Sequence, residues 1–529
     1  MLKLEEHGAF SWKKYKKENR CCYFRGWLEF QGVIYLEDSF GDFFDIIKEK
    51  KVDFFLKEMN GNFSMIFETA EKLILICDRI CSFPLFYGKK ADGKLVVSDN
   101  LVEVSKEVGN GISKEQKEEF LACGLIKGNG TIYEGVYQLQ GGQMLIYDKV
   151  THNYDLKDYF LHVHKYNLKS TPEALVEQLD QVVLHTMQRL VKSISGRTIA
   201  LFLSGGYDSK LIAVSLKRIC YENVVCIALG SLDTKDVVVS EKIAKELGFR
   251  WVRIDVTKKY WKKLQDTGFM DFYYRKRVSN CGMPYLQGIV LKDLIQNGTV
   301  PADCVAITGN SGDVIEGNDV THRFEAGKLY QKNDIINAIA DRHFMLNGMK
   351  KSQEIIKSFD IDSYIKFKPK NKDGFTDEEA EEIVEFYNWR ERQCKYVVND
   401  VRNYDEIIGV EWRLPLWDNE MVDFWLSIPY ELRYDRKLYY MYVKGEALPS
   451  ANDKSVIRKG INIIKKLFGK GILFLYYPKS IINYLFSNDF YFVTYGLMRF
   501  SELMAVLHTT KGFREPHSQG IARAMMKYY

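Results

Sequence analysis

The sequence predicts an α/β protein in two parts, a β-rich N-terminal region followed by a doubly wound parallel sheet. Three patterns carry this reading. Up to about residue 160, short apolar runs alternate with turn residues such as Asn60-Gly61, Asp92-Gly93 and Gly141-Gly142. From Ile199 to Val256, strand-length apolar runs alternate instead with amphipathic stretches of helix length, a βαβαβ rhythm. Between the two, LFLSGGYDSK (Leu201 to Lys210) passes from an apolar strand through a glycine turn into a helix.

The elements follow in order. Strand-like runs cover 22–30, 33–36, 63–67, 73–77 and 95–97, and the pattern continues through 121–125 and 130–147 with few helices. Residues 154–166 read as irregular, with His162 and His164 two apart on a strand-like run, either in a surface loop or as metal ligands, the surface loop being favoured. A helix starts at Pro172 with Ser170 or Thr171 as N-cap, and Leu175, Leu179, Val182, Val183, Met187 and Leu190 share one face. It ends near Ser195-Gly196, and a buried parallel strand occupies 199–203. Leu211, Ile212 and Leu216 mark the next helix and 224–229 a second strand. Val237, Ile243, Ala244 and Leu247 mark a helix stopped by Gly248, and 251–256 and 304–308 are further strands. Residues 389–402 read as a basic helix, either with a solvated face or lining a site for an anionic substrate.

Composition narrows the class. A chain of 529 residues with an ordinary apolar fraction can bury a full core in two or three domains. A net charge of +5 on that length does not point to nucleic acid. The 33 tyrosines and 32 phenylalanines read as core and pocket lining. The ten cysteines form no CxxC pair, which argues against zinc and for reduced thiols in a cytoplasmic protein. Neither a signal peptide at the start nor an apolar run of about 18 residues is present, so no transmembrane segment is expected. Nothing in these features excludes a homodimer.

The glycine turn carries chemistry. A strand, Ser204-Gly205-Gly206 and a helix N-terminus make an anion site, because backbone N–H groups point outward and the helix dipole favours negative charge. Ser204 and Ser209 add hydroxyl donors. Asp208 is an odd neighbour for a phosphate unless a metal lies between them, which points to pyrophosphate with Mg²⁺. Ser-Gly-Gly-x-Asp-Ser directly after an apolar strand resembles the PP-loop of the N-type ATP pyrophosphatases. That group includes asparagine synthetase, GMP synthetase, NAD synthetase and several tRNA-modifying enzymes.

Three separated stretches resemble the asparagine synthetase family in particular. In Met59 to Asn100, Gly61, Phe63, Asp78, Arg79, Pro84, Leu85, Tyr87 and Ser98 match its class II glutaminase domain, and Tyr133, Val136, Leu139, Gly141 and Gly142 match that domain's closing segment. The catalytic half of the domain is missing. The family nucleophile is a cysteine exposed at position 2, where this chain has Leu2; Cys21 and Cys22 lie inside a strand-like run. The Arg-Gly-Pro-Asp and Asn-Gly-Glu stretches that hold glutamine are absent, and the family's substrate-gripping Asp is Asn60. The second stretch is the strand 304–308 with GNSGDVIEGND after it. Here Gly309 and Asp313 match, Thr308 replaces a Ser, and Asn310 and Val314 replace glutamates. In the family the first of those glutamates is implicated in deprotonating the attacking amine, and Asn cannot take a proton, so either the nitrogen nucleophile differs or Glu316 or another residue serves as base. In the third stretch Gly409, Glu411, Arg413, Pro415, Asp418, Pro429, Lys437 and Pro449 match, with Lys437 on the family's catalytic lysine.

The resemblance implies a glutaminase-like αββα domain over 1–160 without its catalytic cysteine, an ATP pyrophosphatase domain over 161–455, and an extension over 456–529. The basic stretch 454–479 within or beside that extension reads as a capping subdomain or an interfacial helix. The implied activity is that of an ATP-dependent carbon–nitrogen ligase, such as an asparagine synthase. A carboxylate is adenylated with release of pyrophosphate, then attacked by ammonia or an amine. Asp208 and Asp313 would hold Mg²⁺, Lys437 would stabilise the developing phosphate charge, and Leu203, Ser204, Gly205, Gly206, Asp208, Ser209, Leu229, Thr308 and Gly309 would bind ATP. Within the same family, alternatives are a cyclising synthetase of the β-lactam or lasso-peptide kind and amidation of a sugar acid. A non-catalytic nucleotide-binding relative is the alternative from another class.

Overall fold

The structure is a computed structural model of the chain and describes residues 1–444 apart from 6–7, 48–51, 110, 166–169, 231–233, 257, 278–287, 318–322, 345–354 and 357–358. The expected extension 456–529, with the basic stretch 454–479, lies outside the described residues.

The first two sheets belong to the N-terminal region. One runs β1(Leu2–Lys3), β8(Leu95–Ser98), β7(Phe86–Lys89), β9(Val136–Gln138). The other runs β11(Tyr154–Asp158), β10(Gln143–Asp148), β6(Lys72–Cys77), β5(Asn60–Glu68), β3(Arg20–Phe30), β2(Lys13–Lys17), with β4(Val33–Tyr35) paired to β3. Side chains alternate between two faces, as the period of a strand requires. On β6, Leu73, Leu75 and Cys77 join Leu145 of β10 and Tyr87 and Val97 of the smaller sheet in one core. Ile74 and Ile76 turn the other way and pack with Phe40, Phe43 and Phe55 of helices α1(Phe40–Ile46) and α2(Val52–Glu58). Phe86 and Val96 turn outward from the smaller sheet onto Leu101, Val104 and Phe120 of α3(Leu101–Val108) and α4(Lys114–Cys123). The layers are therefore helix, sheet, sheet, helix, the αββα arrangement expected.

Three expectations are corrected in detail. Residues 121–123 lie not in a strand but in the last turn of α4, which the Ser113 hydroxyl caps by accepting from the Gln116 N–H and which closes on Gly124 at φ 78°. With α1 to α3 this makes the region richer in helix than its strand pattern implied. Residues 154–166 begin with an edge strand, β11, antiparallel to β10. His162 and His164 beyond it are buried against Trp389, Glu385 and Arg433 rather than looped into solvent, and burial holds His162 neutral, with a pKa pushed down to about 3.

The third sheet is wholly parallel, in the order β14(Arg250–Ile254), β13(Val224–Leu229), β12(Ile199–Phe202), β15(Val305–Ile307), β16(Glu411–Arg413). Helices α5(Pro172–Ile194), α6(Tyr207–Arg218) and α7(Lys235–Leu247) connect or flank its first strands. Thr171 caps α5 by accepting from the Ala174 N–H, as its sequence signals. Strand order reverses between β13 and β15 around β12, which makes the carboxyl end of β12 the expected ligand crevice.

A long helical stretch runs behind the sheet, from Asp377–Tyr387 through wide π-helical turns over Asn388–Val397 to Val398–Asn403 and Tyr404–Ile408. Its polar side chains are buried: Glu381, Glu391, Lys395, Asp400, Arg402 and Asp405 are each at most 2% exposed. The solvated basic face considered for 389–402 is therefore not found. The charges survive burial because they are paired: Lys395 with Glu391 at 2.8 Å, Arg390 with Asp158 at 2.7 Å and Arg433 with Glu385 at 2.6 Å.

Arg25 also ties the N-terminal region to the helical stretch that leads into β16. Arg25 donates to Asp405 at 2.6 Å and to Asp99 at 3.5 Å, with all three side chains at most 1% exposed. Asp405 further accepts from the backbone N–H of Ala9 and Phe10. The guanidinium of Arg413, from β16, lies over the rings of Phe10 and Trp27 at 5.4 and 5.0 Å.

Candidate functional site

A cavity of about 480 Å³ opens at the carboxyl ends of β12, β13 and β15, within the usual size range of small-molecule sites. Phe202, Leu203, Ser204, Gly206, Asp208 and Ser209 line it from the first strand and its loop, Ile227 to Gly230 from the second, Thr308, Gly309 and Asn310 from the third, and Thr234, Asp236 and Val237 from the start of α7.

The loop after β12 is held by its own hydroxyls. The Ser204 N–H donates to Ser209 Oγ at 3.1 Å, the two Oγ atoms lie 3.1 Å apart, and the Gly206 N–H donates to Ser204 Oγ at 3.2 Å. Gly206 is the N-cap of α6 and offers no side chain there, so the helix's first N–H groups are left for a ligand. The loop after β15 packs directly on this one. A Cβ at Gly309 would come within 2.7 Å of the Ser209 N, and one at Gly312 within 2.7 Å of the Asp208 Cγ. Only glycine at these two positions lets the loops approach so closely.

Thr308 gives the clearest sign of a missing partner. It is 6% exposed, it lines the cavity, and its Oγ1 has no hydrogen-bond partner among the described residues. A buried polar atom left unpaired costs stability, so one facing a cavity marks a place for a ligand.

Asp208 is engaged from the far side. Its Oδ1 accepts from Arg436 Nη2 at 3.0 Å and from the Tyr439 hydroxyl at 3.0 Å. Arg436 Nη2 also bonds the buried Glu316. Burial works against the charge on Arg436, but the Glu316 and Asp208 carboxylates outweigh it and hold the guanidinium above its ordinary pKa. Burial, then the same two carboxylates, push the Tyr439 hydroxyl up, so it stays a donor.

Of the residues singled out in the sequence, Leu203, Ser204, Gly206, Asp208, Ser209, Leu229, Thr308 and Gly309 come together around the cavity, with Gly205 in the loop beside Asp236. Asp313 lies on the short helix Gly312–Ile315, but its side chain is outside the described residues. Lys437 is not among the lining residues; its ammonium lies 5.6 Å from the Tyr434 ring centroid. Glu316, considered as a base, is tied to Arg436 and does not line the cavity. Asp236, Thr234 and Arg436 were not singled out. Asp236 has the signal of an acid in the first turn of a helix after a parallel strand, whereas Arg436 has no signal beyond adjacency to Lys437.

Oxygen donors of this kind fit a magnesium ion: the Asp208 and Asp236 carboxylates and the Ser204 and Thr308 hydroxyls all line the cavity. Among the described residues no group of three His, Cys, Asp or Glu side chains gathers to hold a metal alone.

The gap beside Asn60 and Gly61 is different in kind. Asn60 donates to Asp418 at 2.9 Å and accepts from the Asn419 N–H at 3.1 Å, and Arg189 grips the same Asp418 at 2.7 and 2.8 Å. What remains is about 20 Å³, room for a water rather than an amino acid.

Residues 47–160 match a family described as a glutamine amidotransferase domain. No curated protein matches the chain. Among solved structures, an NH3-dependent NAD synthetase from Campylobacter jejuni is 20% identical over 37% of this chain and 82% of its own, with a TM-score of 0.19. A glutamine PRPP amidotransferase from B. subtilis is 10% identical over 56% of this chain and 62% of its own, with a TM-score of 0.19. A predicted subunit of tRNA methyltransferase from Methanocaldococcus jannaschii is 21% identical over 36% of this chain and 92% of its own, with a TM-score of 0.14. At such TM-scores these likenesses carry no weight for activity. Among the described residues no helix is long and apolar enough to cross a membrane.

Proposed function

We propose that the chain is an ATP-dependent amide-forming ligase of the asparagine synthetase kind. The observation that carries this reading is the Ser204–Ser209 loop, which opens with the unpaired Thr308 hydroxyl onto one cavity at the ends of parallel strands. Leu203 and Leu229 supply apolar contact for a base, and the first N–H groups of α6 with Ser204 and Ser209 supply donors for phosphates. In the first step a substrate carboxylate oxygen attacks the α-phosphorus of ATP, the bond to the bridging oxygen breaks, and pyrophosphate leaves. In the second, a nitrogen lone pair attacks the acyl carbon, AMP leaves with the bonding pair, and the nitrogen sheds a proton. Mg²⁺, held by Asp208 and Asp313, would neutralise pyrophosphate charge when bound.

The nitrogen is taken from ammonia or a substrate amine rather than from glutamine. Asn60 occupies the position of a substrate-gripping acid and is already committed to Asp418 and Asn419, leaving no room for an amino acid beside it. The N-terminal region then serves as a scaffold. Asn310 favours a second reading, a nucleotide-binding relative that transfers nothing, because the cavity offers an amide where a proton acceptor is needed.

Pyrophosphate release from ATP and Mg²⁺, with a panel of carboxylic acids that includes aspartate and with ammonia as nucleophile, tests the reading. Release that depends on one acid is the expected result. ATP binding with no release across the panel would overturn the ligase in favour of the second reading.

A further inference from the structure

Arg436 is a cation that touches the loop carboxylate Asp208, and nothing in the reaction proposed above uses it. It is joined by Nη2 to Asp208, at 3.0 Å, and to Glu316. A guanidinium carries five N–H donors in a fixed fork, and here both carboxylates draw on one nitrogen. Arg436 Nε is buried and has no partner among the described residues. The backbone is bent to present this side chain: Asp435 and Arg436 stand in succession at φ 58° and 56°. Left-handed conformations of residues other than glycine cost on the order of 1–3 kcal/mol each and persist only where the surroundings enforce them. Tyr439 and Tyr440 flank the guanidinium, with ring centroids 4.4 and 5.6 Å away. The neighbouring Lys437 ammonium lies instead over Tyr434.

We propose that Arg436 is the phosphate-binding arm of this site, anchored by one nitrogen on Asp208 and Glu316 and offering its remaining donors to the pyrophosphate portion of a nucleoside triphosphate. The inference rests on the nucleotide reading given above, and the unpaired Thr308 hydroxyl in the same cavity is a separate sign that a ligand belongs there. Arg436 adjoins the cavity through Asp208 without lining it, and its unused donors form a charge-assisted, fork-shaped set matched to phosphate oxygens.

The test uses the full chain and two separate probes, inorganic pyrophosphate and adenosine, titrated calorimetrically into the wild type, Arg436→Gln and Arg436→Lys. The wild type should bind both. Arg436→Gln should weaken pyrophosphate by about tenfold or more and leave adenosine within about twofold, and Arg436→Lys, which keeps the charge and loses the fork, should fall between. Unchanged pyrophosphate affinity in both variants, with a lowered melting temperature, would make Arg436 a structural tie and overturn the proposal. Tighter pyrophosphate binding by Arg436→Gln would make it a plug and also overturn it. A wild type that binds adenosine but not pyrophosphate refutes the arm alone, and one that binds neither refutes the nucleotide reading with it.

Discussion

Replacing Thr308 with valine separates a ligand contact from a structural one, because the two roles predict opposite results. Thr and Val are nearly the same shape, and Thr308 Oγ1 makes no hydrogen bond within the described protein. Thr308→Val therefore breaks no internal bond and places a methyl where an unpaired oxygen stood. Stability should stay the same or rise by up to ~1 kcal/mol. For a chain of this size that is a gain of no more than about 2 °C in melting temperature. A ligand that bonds this hydroxyl loses a net contribution of about 0.5–1.5 kcal/mol, which weakens binding by roughly two- to thirteenfold. Thermal unfolding of the free protein and calorimetric titration with ATP and Mg²⁺ read the two quantities separately. A variant that is destabilised by more than about 1 kcal/mol while binding ATP as before would refute the assignment, since the hydroxyl would then serve the fold.

Further outcomes follow from the same geometry. Asp208→Ala should abolish acid-dependent pyrophosphate release while circular dichroism stays native; full activity would remove Asp208 from the metal and phosphate chemistry. Supplying glutamine in place of ammonia should yield no glutamate, and stoichiometric glutamate would show that the packed Asn60 region opens after all. Burial, then the neighbouring Glu385, raise the carboxyl of Glu382 from its ordinary 4.5 to about 7. The native state thus holds this proton more tightly than the unfolded chain. Its contribution is full below pH 4.5 and is lost as the pH rises through about 7. Glu382→Gln should shrink the fall in stability between pH 5 and pH 8 by on the order of 1–3 kcal/mol in urea unfolding, and an unchanged pH slope would mean the charge is not felt.

Much of the parallel sheet was legible because its signals are local. A buried strand reads as an unbroken apolar run, and a glycine turn into a helix can hold little else, so 199–209 declares itself. Thr308, at the end of such a run, was placed by the family resemblance, in which it replaces a Ser. What escaped depends on partners distant in sequence. Residues 389–402 have the composition of a solvated face, but Arg390 meets Asp158, and Lys395 meets Glu391 and two carbonyls from the N-terminal region. Composition cannot distinguish charges paired in a core from charges in water. His162 and His164 are hidden for the same reason, since their cover comes from Trp389, Glu385 and Trp417. Arg436 was invisible because its aim is set by two left-handed residues, and no glycine or asparagine announces them. Helix α4 was misread where its last apolar residues mimic a strand once its N-cap is overlooked.

The buried junction of Arg25, Asp405 and Asp99 bears on why an N-terminal region proposed to act as a scaffold would be kept. Removing it would leave Asp405 without the guanidinium and the two backbone donors that neutralise and solvate it, and would bare the Arg413 side chain and the Trp412 ring that pack on Phe10. Stranding a buried charge in that way costs on the order of 3–5 kcal/mol, a large part of the stability of an ordinary domain. Loss of the region is therefore penalised at every generation by folding alone, whatever chemistry the region itself performs.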